Sequence, residues 1–422
     1  MEQIAVAPGA RITVLPAEKF HRSRISINFL WPAAREWATA EALLPFVLER
    51  GYRDCPDMTE LSKKLARLYG AALSVDGTMC GENRVLTVSV AGIKDTFALE
   101  NEPLSMEYAG IAFGVAFRPY LVDGLFDPEA VNPEREQLRE VLESEINEKR
   151  GYCIRQARRK FYGDLPAGVE RNGYIEELDG ITPEQLTECY RRMLRLARIE
   201  VTVVGVETEA ARFCLSEALK DLERTPGELP PVSAVPSCEP RSFEEPLPTV
   251  QGKLCMLFTA GAPMPAGALS AMRVAAALLG ALPTSRLFQN VREKQGLCYY
   301  CVSSYAALTS MLCIDSGVAH ENAARVREAI LYEMQALCTG PVPPAELDDA
   351  KRALLNQLAA VGDTPQGLES WYFNAMLRGE AKTPEEVARE IEAVTVEEVQ
   401  RVLSRFTLSV CYTLTKEAGF DG

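Results

Sequence analysis

Hydrophobic and polar positions along the first ninety residues switch between a period of two and a helical period. Residues 3–8 and 11–15 alternate as short strands joined at Pro8-Gly9, and Arg24 to Leu30 forms a longer strand that Trp31-Pro32 ends. Helical spacing then runs from Thr39 to Arg50, with Thr39 as cap and Gly51 as stop. Pro45 lies within it, and its missing N–H predicts a kink or a later start. Leu61, Leu65 and Leu68 mark a second helix, opened by Asp57 or Thr59 and closed at Gly70. Strands at 71–79 and 84–91 flank a polar turn at Gly81-Glu82-Asn83. Beyond them the pattern predicts a helix of mixed faces over 104–117 and one long charged helix over 133–162. Thr182 caps a helix with Pro183 at its first position, ending near Leu196. Ile199 to Val204 is rich in β-formers, and 208–222 is amphipathic.

Composition shifts after that. Seven prolines fall between Pro226 and Pro248, in a stretch with little hydrophobic periodicity, which predicts an extended, semi-rigid linker. The expected organisation is therefore an N-terminal domain over 1–225, a linker over 226–248 and a C-terminal domain over 249–422. The two halves repeat. Leu178-Asp-Gly-Ile-Thr-Pro-Glu-Gln-Leu, a helix and IEVTVVG match Ile391-Glu-Ala-Val-Thr-Val-Glu-Glu-Val, a helix and LSVCYTL, the first segment at an offset of 213 residues and the strand at 209. Arg24 to Leu30 with its following helices and Gly70 likewise corresponds to Lys253 to Ala260 and Gly296. A period this long excludes a solenoid and predicts a duplicated α+β domain, each copy a mixed sheet with helices on one face. Two such domains facing each other across the linker would form a clam around a cavity.

Within the second half, TSRLFQNVREKQGLCYY (284–300) predicts a helix capped by Ser285, a left-handed turn at Gly296 and a strand from Leu297 to Val302. Arg292 stands four residues before the glycine and Tyr299 three after it, so a chain folding back there brings guanidinium and phenol to one surface. Both are donors suited to a peptide carbonyl or a developing oxyanion. The plainer reading is a helix-end arginine that complements the macrodipole and a half-buried sheet tyrosine.

The totals bound the partners. The 422 residues carry a net charge of −14, with pI near 5.0 and mean hydropathy −0.06, which argues against nucleic acid or an anionic membrane as partner. The N-terminus lacks the pattern of a signal peptide, and the most apolar runs are too short to span a bilayer, so a cytoplasmic location is expected. Twelve scattered cysteines then read as reduced core residues. Cys298 and Cys301 form the one CxxC, and regular strand alternation would send them to opposite faces rather than to a redox helix start.

The string SRLFQNVREKQGLCY resembles the C-terminal signature of the insulinase and mitochondrial processing peptidase (pitrilysin) superfamily. The resemblance implies a two-domain clam and covers nearly the whole chain. It also implies that Arg292 and Tyr299, seven apart, hold a substrate backbone opposite zinc. Active members carry HxxEH on a helix of the first half, where two histidines bind zinc and the glutamate is general base. The matching positions here read Phe46-Val47-Leu48-Glu49-Arg50. Phe46 has no ligand atom, and Arg50 is permanently protonated, so only Glu49 survives in type. A distant glutamate is the family's third ligand, and Glu145 in Leu142-Glu143-Ser144-Glu145 corresponds to it in type, although it also reads as one more solvated acid beside Glu136, Glu140 and Glu148.

Only two histidines exist, His21 and His320, one in each half. No cofactor is therefore expected on this chain and no catalysis by it alone. LLPFVLERG followed by PDMTELSKKLARLYGA resembles the inactive member of a paired set in Gram-positive bacteria, a set named for an association with elongation factor P modification. That resemblance implies a heterodimer in which zinc resides in an HxxEH-bearing partner, while this chain binds extended peptide and supplies Arg292 and Tyr299. The alternative is a structural scaffold subunit with no role in proteolysis. A third reading, a hydrolase using Ser, Cys or Glu49, has no GxSxG motif or neighbouring histidine to support it.

Overall fold

The computed structural model describes residues 1–380 and 382–419. The chain divides into two compact units, the first comprising residues 1–143, 169–230 and 363–370, the second residues 144–168, 231–362 and the chain from Trp371 onward.

In the first unit, β1 (Glu2–Ala7), β2 (Ala10–Leu15), β3 (Arg22–Pro32), β4 (Ala72–Cys80), β5 (Asn83–Ile93) and a later strand, Arg198–Val204, form one sheet, with a small hairpin of β6 (Leu121–Val122) and β7 (Leu125–Phe126) apart from it. With Arg198–Val204 as β8, the order is β1-β2-β8-β3-β5-β4, and only the β2/β8 pair is parallel. Helices α1 (Ala38–Glu49), α2 (Met58–Arg67), α3 (Leu104–Phe117), α4 (Pro128–Ser144), α6 (Pro183–Leu196) and α7 (Thr208–Leu219) belong to this unit, while α5 (Lys149–Tyr162) does not. The core joins Ile25, Ile27 and Phe29 of β3 and Val88 and Val90 of β5 to Leu43 and Leu44 of α1, Ile111 and Val115 of α3, and Leu186 of α6. Apolar alternation fixes this register, because a one-residue slip would turn β3 inside out.

The second unit carries β9 (Arg241–Leu247), β10 (Gly252–Thr259), β11 (Cys298–Ala306), β12 (Met311–Val318) and β13 (Thr407–Lys416) in the order β11-β12-β10-β13-β9. Only β9/β13 is parallel. Written from the other edge, this order repeats β2-β8-β3-β5-β4 strand for strand and direction for direction. The repeat seen in sequence is thus a repeated sheet topology. Helices α8 (Leu269–Ala276), α9 (Ala323–Thr339) and α10 (Pro344–Val361) follow, then α11 (Pro365–Leu377), whose residues to Ser370 group with the first unit, and α12 (Pro384–Ala393) and α13 (Val396–Leu403), and most contribute to a core with Met256, Phe258, Leu312 and Ile314.

Four sequence expectations are corrected. The proline-rich segment is not all linker, since residues 241–247 are β9, the counterpart of β2. RSFEEPL lacks an apolar stripe because β9 is an edge strand that exposes alternate residues, and Pro246 is tolerated there. The expected single helix over 133–162 is two. Asp127, whose carboxylate accepts the Glu129 N–H at 2.9 Å, starts α4 at Pro128. The chain breaks after Ser144, and Glu148 caps α5 through the Gly151 N–H. Then α5 groups with the second unit, because Cys153, Ala157 and Phe161 pack with Cys255, Leu257, Cys313 and Val410, on the sheet face away from that unit's main core. Finally, Thr39 does not cap α1. A 3₁₀ turn at Arg35–Trp37 precedes that helix, and the Thr39 hydroxyl donates to Glu177 at 2.5 Å while accepting the Tyr174 N–H at 3.1 Å.

Candidate functional site

Two places carry the residues singled out above, one in each unit. In the first unit, α1 presents Phe46, Glu49 and Arg50 near its C-terminal end. Spacing of four sets Phe46 and Arg50 on one helical face. Phe46 is partly buried and packs against the core. The Arg50 guanidinium donates to Glu134 Oε1 at 2.7 Å, and the pair is partly shielded, at 33 % and 10 % side-chain exposure. Glu49 accepts from the Val75 backbone. Its carboxyl is held above the usual range, chiefly by burial, with the Asp76 and Glu134 carboxylates adding to the effect.

The residues therefore do not fit zinc. Position 46 offers no donor atom. Position 50 already holds a fixed positive charge, and that charge, rather than a metal, neutralises the nearest carboxylate. Among the described residues, no group of three or more His, Cys, Asp or Glu is disposed to hold a metal ion. His21 stacks edge-to-face on Phe97 with centroids 5.1 Å apart, and His320 Nε2 lies 3.2 Å from the Thr249 carbonyl.

Glu145 forms an ion pair with Arg155 and groups with the second unit. The acid facing α1 is Glu134, which the sequence reading passed over. A signal for it existed, since Val131, Glu134 and Leu138 are the buried residues of α4 and share its inward stripe. An acid on an apolar stripe demands a partner.

In the second unit, residues Leu287–Lys294 form a wide π-type helix, and Gly296 takes the left-handed conformation (φ +60°) that turns the chain into β11. Ser285 does not cap it as expected. Its hydroxyl donates to the Leu282 carbonyl at 2.5 Å, closing the preceding turn. Arg292 reaches the backbone of Tyr299. Arg292 Nε donates to the Tyr299 backbone carbonyl at 2.8 Å, a second nitrogen, Nη1, pairs with Glu293, and the guanidinium lies 4.6 Å above the Phe288 ring. The Tyr299 side chain projects from an edge strand and is 61 % exposed.

Its neighbour Tyr300 lies against Gly317, where an added Cβ would fall 2.5 Å from the ring. Arg150 sits 4.8 Å and Lys253 5.7 Å from the Tyr300 ring centre. Arg150 also makes a two-pronged pair with the buried Asp315, at 2.6 and 3.1 Å.

The β11/β12 register departs from regular alternation. Cys298 faces Val318, Tyr300 faces Gly317 and Cys301 faces Ser316, so Tyr299 is an extra residue in a bulge. The expectation that Cys298 and Cys301 point to opposite faces is thereby overturned. Both lie at the core of the second unit, with Cys301 buried and Cys298 half-buried. Donation from Cys301 brings the Cys298 thiol down to about 7, with Ser316 and the Arg292 charge acting the same way.

Comparison with known proteins supplies a wider frame. Residues 180–354 match the family described as "Peptidase M16 inactive domain". The chain is 26 % identical over 412 residues to the Bacillus subtilis protein named "Probable inactive metalloprotease YmfF", covering 97 % of each chain. It is 28 % identical over 146 residues, 34 % of this chain and 36 % of the other, to "Uncharacterized zinc protease YmxG" of the same Bacillus. A solved structure of a conserved protein from Enterococcus faecalis superposes with a TM-score of 0.88 at 26 % identity, covering 100 % of this chain and 99 % of that one.

Proposed function

We propose that this chain, which belongs to the peptidase M16 (insulinase) family on the side of its inactive members, binds extended peptide and completes the active site of a zinc-bearing homologue. The observation that carries the reading is an asymmetry. Where the family resemblance would put histidine ligands stand Phe46 and Arg50, the latter paired with Glu134, while Arg292, at the end of its helix, contacts the backbone of Tyr299 on the edge strand β11.

An extended peptide would add to a sheet edge, through backbone hydrogen bonds that tolerate many sequences. The Nε and Nη1 donors of Arg292 are already engaged, so a substrate carbonyl would meet the Nη2 edge and the Tyr299 phenol. Zinc, held by the partner, would supply the activated water. This chain's residues would orient the peptide and stabilise charge on its carbonyl oxygen. Loss of one such donor costs about 3 kcal/mol in related chemistry. The partner is an HxxEH-bearing member of the family, and the cytoplasm is the proposed setting. Among the described residues, no helix is long and apolar enough to cross a membrane.

The test is co-expression of the tagged chain with an HxxEH-bearing homologue from its own organism, followed by metal analysis and peptidase assay of the purified complex. A zinc-containing complex whose kcat/KM falls about 100-fold in Arg292→Ala, with co-purification unchanged, supports the reading. A complex whose activity ignores both Arg292 and Tyr299 leaves the scaffold reading. Zinc-dependent cleavage by this chain alone would overturn both.

A further inference from the structure

We infer that Cys298 and Cys301 form a reactive dithiol that exchanges with small-molecule disulfides, closing an intramolecular bond across the bulge at Tyr299. The inference stands on this chain alone and does not depend on the proposed function.

The bulge makes the site. A regular strand places residues three apart on opposite faces. Here Tyr299 is extruded, so only two ladder steps separate the cysteines, opposite Val318 and Ser316. Two steps of about 3.3 Å put the Cα atoms at the upper edge of the separation that a disulfide spans, so closing the bond draws the two Cβ atoms together through a local shift of the bulge. Both side chains face the same core, Cys301 within it and Cys298 packed against it. Their exposures differ in a way that fixes the order of events. Cys301 is 2 % exposed and closed to a bulky reagent, whereas Cys298 is half-buried and sits where the Arg292 helix turns into the edge strand. Its lowered pKa adds thiolate at neutral pH.

The chemistry balances without another reactant. The Cys298 thiolate attacks one sulfur of a disulfide RSSR, forms a mixed disulfide and expels one thiolate, RS⁻. Cys301 then loses its proton and attacks Cys298 Sγ, expelling the second RS⁻. Two protein thiols become one disulfide, RSSR is reduced to two RSH, and the two thiol protons end on the released thiols.

The molecule contains its own controls. Cys238 is more exposed than Cys298 but has no cysteine beside it in the strand ladder. Cys255 and Cys313 are closer to a bonded pair, with sulfurs 3.8 Å apart, yet they are 0 % and 4 % exposed. If exposure alone governed reaction, Cys238 would be modified first. If unfolding governed it, Cys255 and Cys313 would react alongside the proposed pair.

The experiment treats the full chain with oxidised glutathione near neutral pH, quenches with acid, blocks remaining thiols in denaturant and maps the peptides by mass. The expected first product is the Cys298–Cys301 disulfide. Cys301→Ser should stop at a glutathione adduct on Cys298, and Cys298→Ser should remove both products. Accumulation of the Cys238 adduct with no 298–301 bond would overturn the inference. So would appearance of a Cys255–Cys313 bond at the same rate. Mapping the unaltered chain decides the matter even if either variant folds poorly.

Discussion

Arg50 and Glu134, 84 positions apart in sequence, meet at 2.7 Å, the guanidinium at the end of α1 donating to a carboxylate on the inward stripe of α4. Removing one member leaves the other partly shielded and unpaired. Arg50→Ala should cost more than the ~1 kcal/mol of an exposed pair and less than the ~3–5 kcal/mol of a fully buried one. Urea unfolding of Arg50→Ala, Glu134→Ala and the double variant measures it. The double variant should lose less than the sum of the two.

The same geometry predicts which acid would serve a rebuilt metal site. Phe46→His with Arg50→His should bind zinc when Glu134 is present and lose most of that affinity in Glu134→Ala, whereas Glu145→Ala should leave it unchanged. Calorimetric zinc titration of the three proteins reads the difference. Equal dependence on Glu145 would contradict the placement of the two acids.

Glu49 gives a pH dependence of definite sign. Burial, then the Asp76 and Glu134 charges, raise its pKa in the folded chain, so the folded state holds that proton more tightly than the unfolded one. The resulting stability is present below the ordinary carboxylate range and is lost as pH rises through the raised value. Glu49→Gln should therefore be more stable than the parent at about pH 8, with the gain vanishing at about pH 4. Denaturation midpoints across that range check it.

Cys298 should be alkylated by iodoacetamide with a rate that titrates around 7. Cys301→Ala removes the largest cause of that lowering and should move the midpoint upward, and Arg292→Ala should move it in the same direction by less. Peptide-resolved labelling rates against pH provide the measurement.

Gly317→Ala places a methyl group against the Tyr300 ring. The ring must move away from Arg150 and Lys253, and a cost of about 1–3 kcal/mol is expected, as for other overpacked sites. If Tyr300→Ala in the same background recovers part of the loss, the clash is the cause.

Much of the organisation was legible along the chain. Strands 2–7, 10–15, 22–32, 72–80 and 83–93 lie within a few residues of their expected places, because alternation and Pro-Gly or Gly-Glu-Asn turns are local signals. Thr182 caps α6 as its sequence predicts, accepting the Gln185 N–H. The strand 241–247 was not legible, since an exposed edge strand with a proline carries no apolar stripe. The break at 145–148 escaped too, because charged helix-formers run straight through it and a cap at Glu148 is a weak signal.

At the sites, residue chemistry and tertiary position divide cleanly. The sequence by itself determined that Phe46 and Arg50 cannot ligate zinc, because that follows from their atoms, and that the chain turns at Gly296 between the Arg292 helix and the Tyr299 strand, because a glycine turn is local. Only the tertiary structure decided that Glu134 rather than Glu145 faces Arg50, since helix packing selects which acid points inward. It also decided that Cys298 and Cys301 share a face. One extra residue in a ladder inverts alternation, and that residue is counted against the partner strand, which the sequence of β11 does not contain.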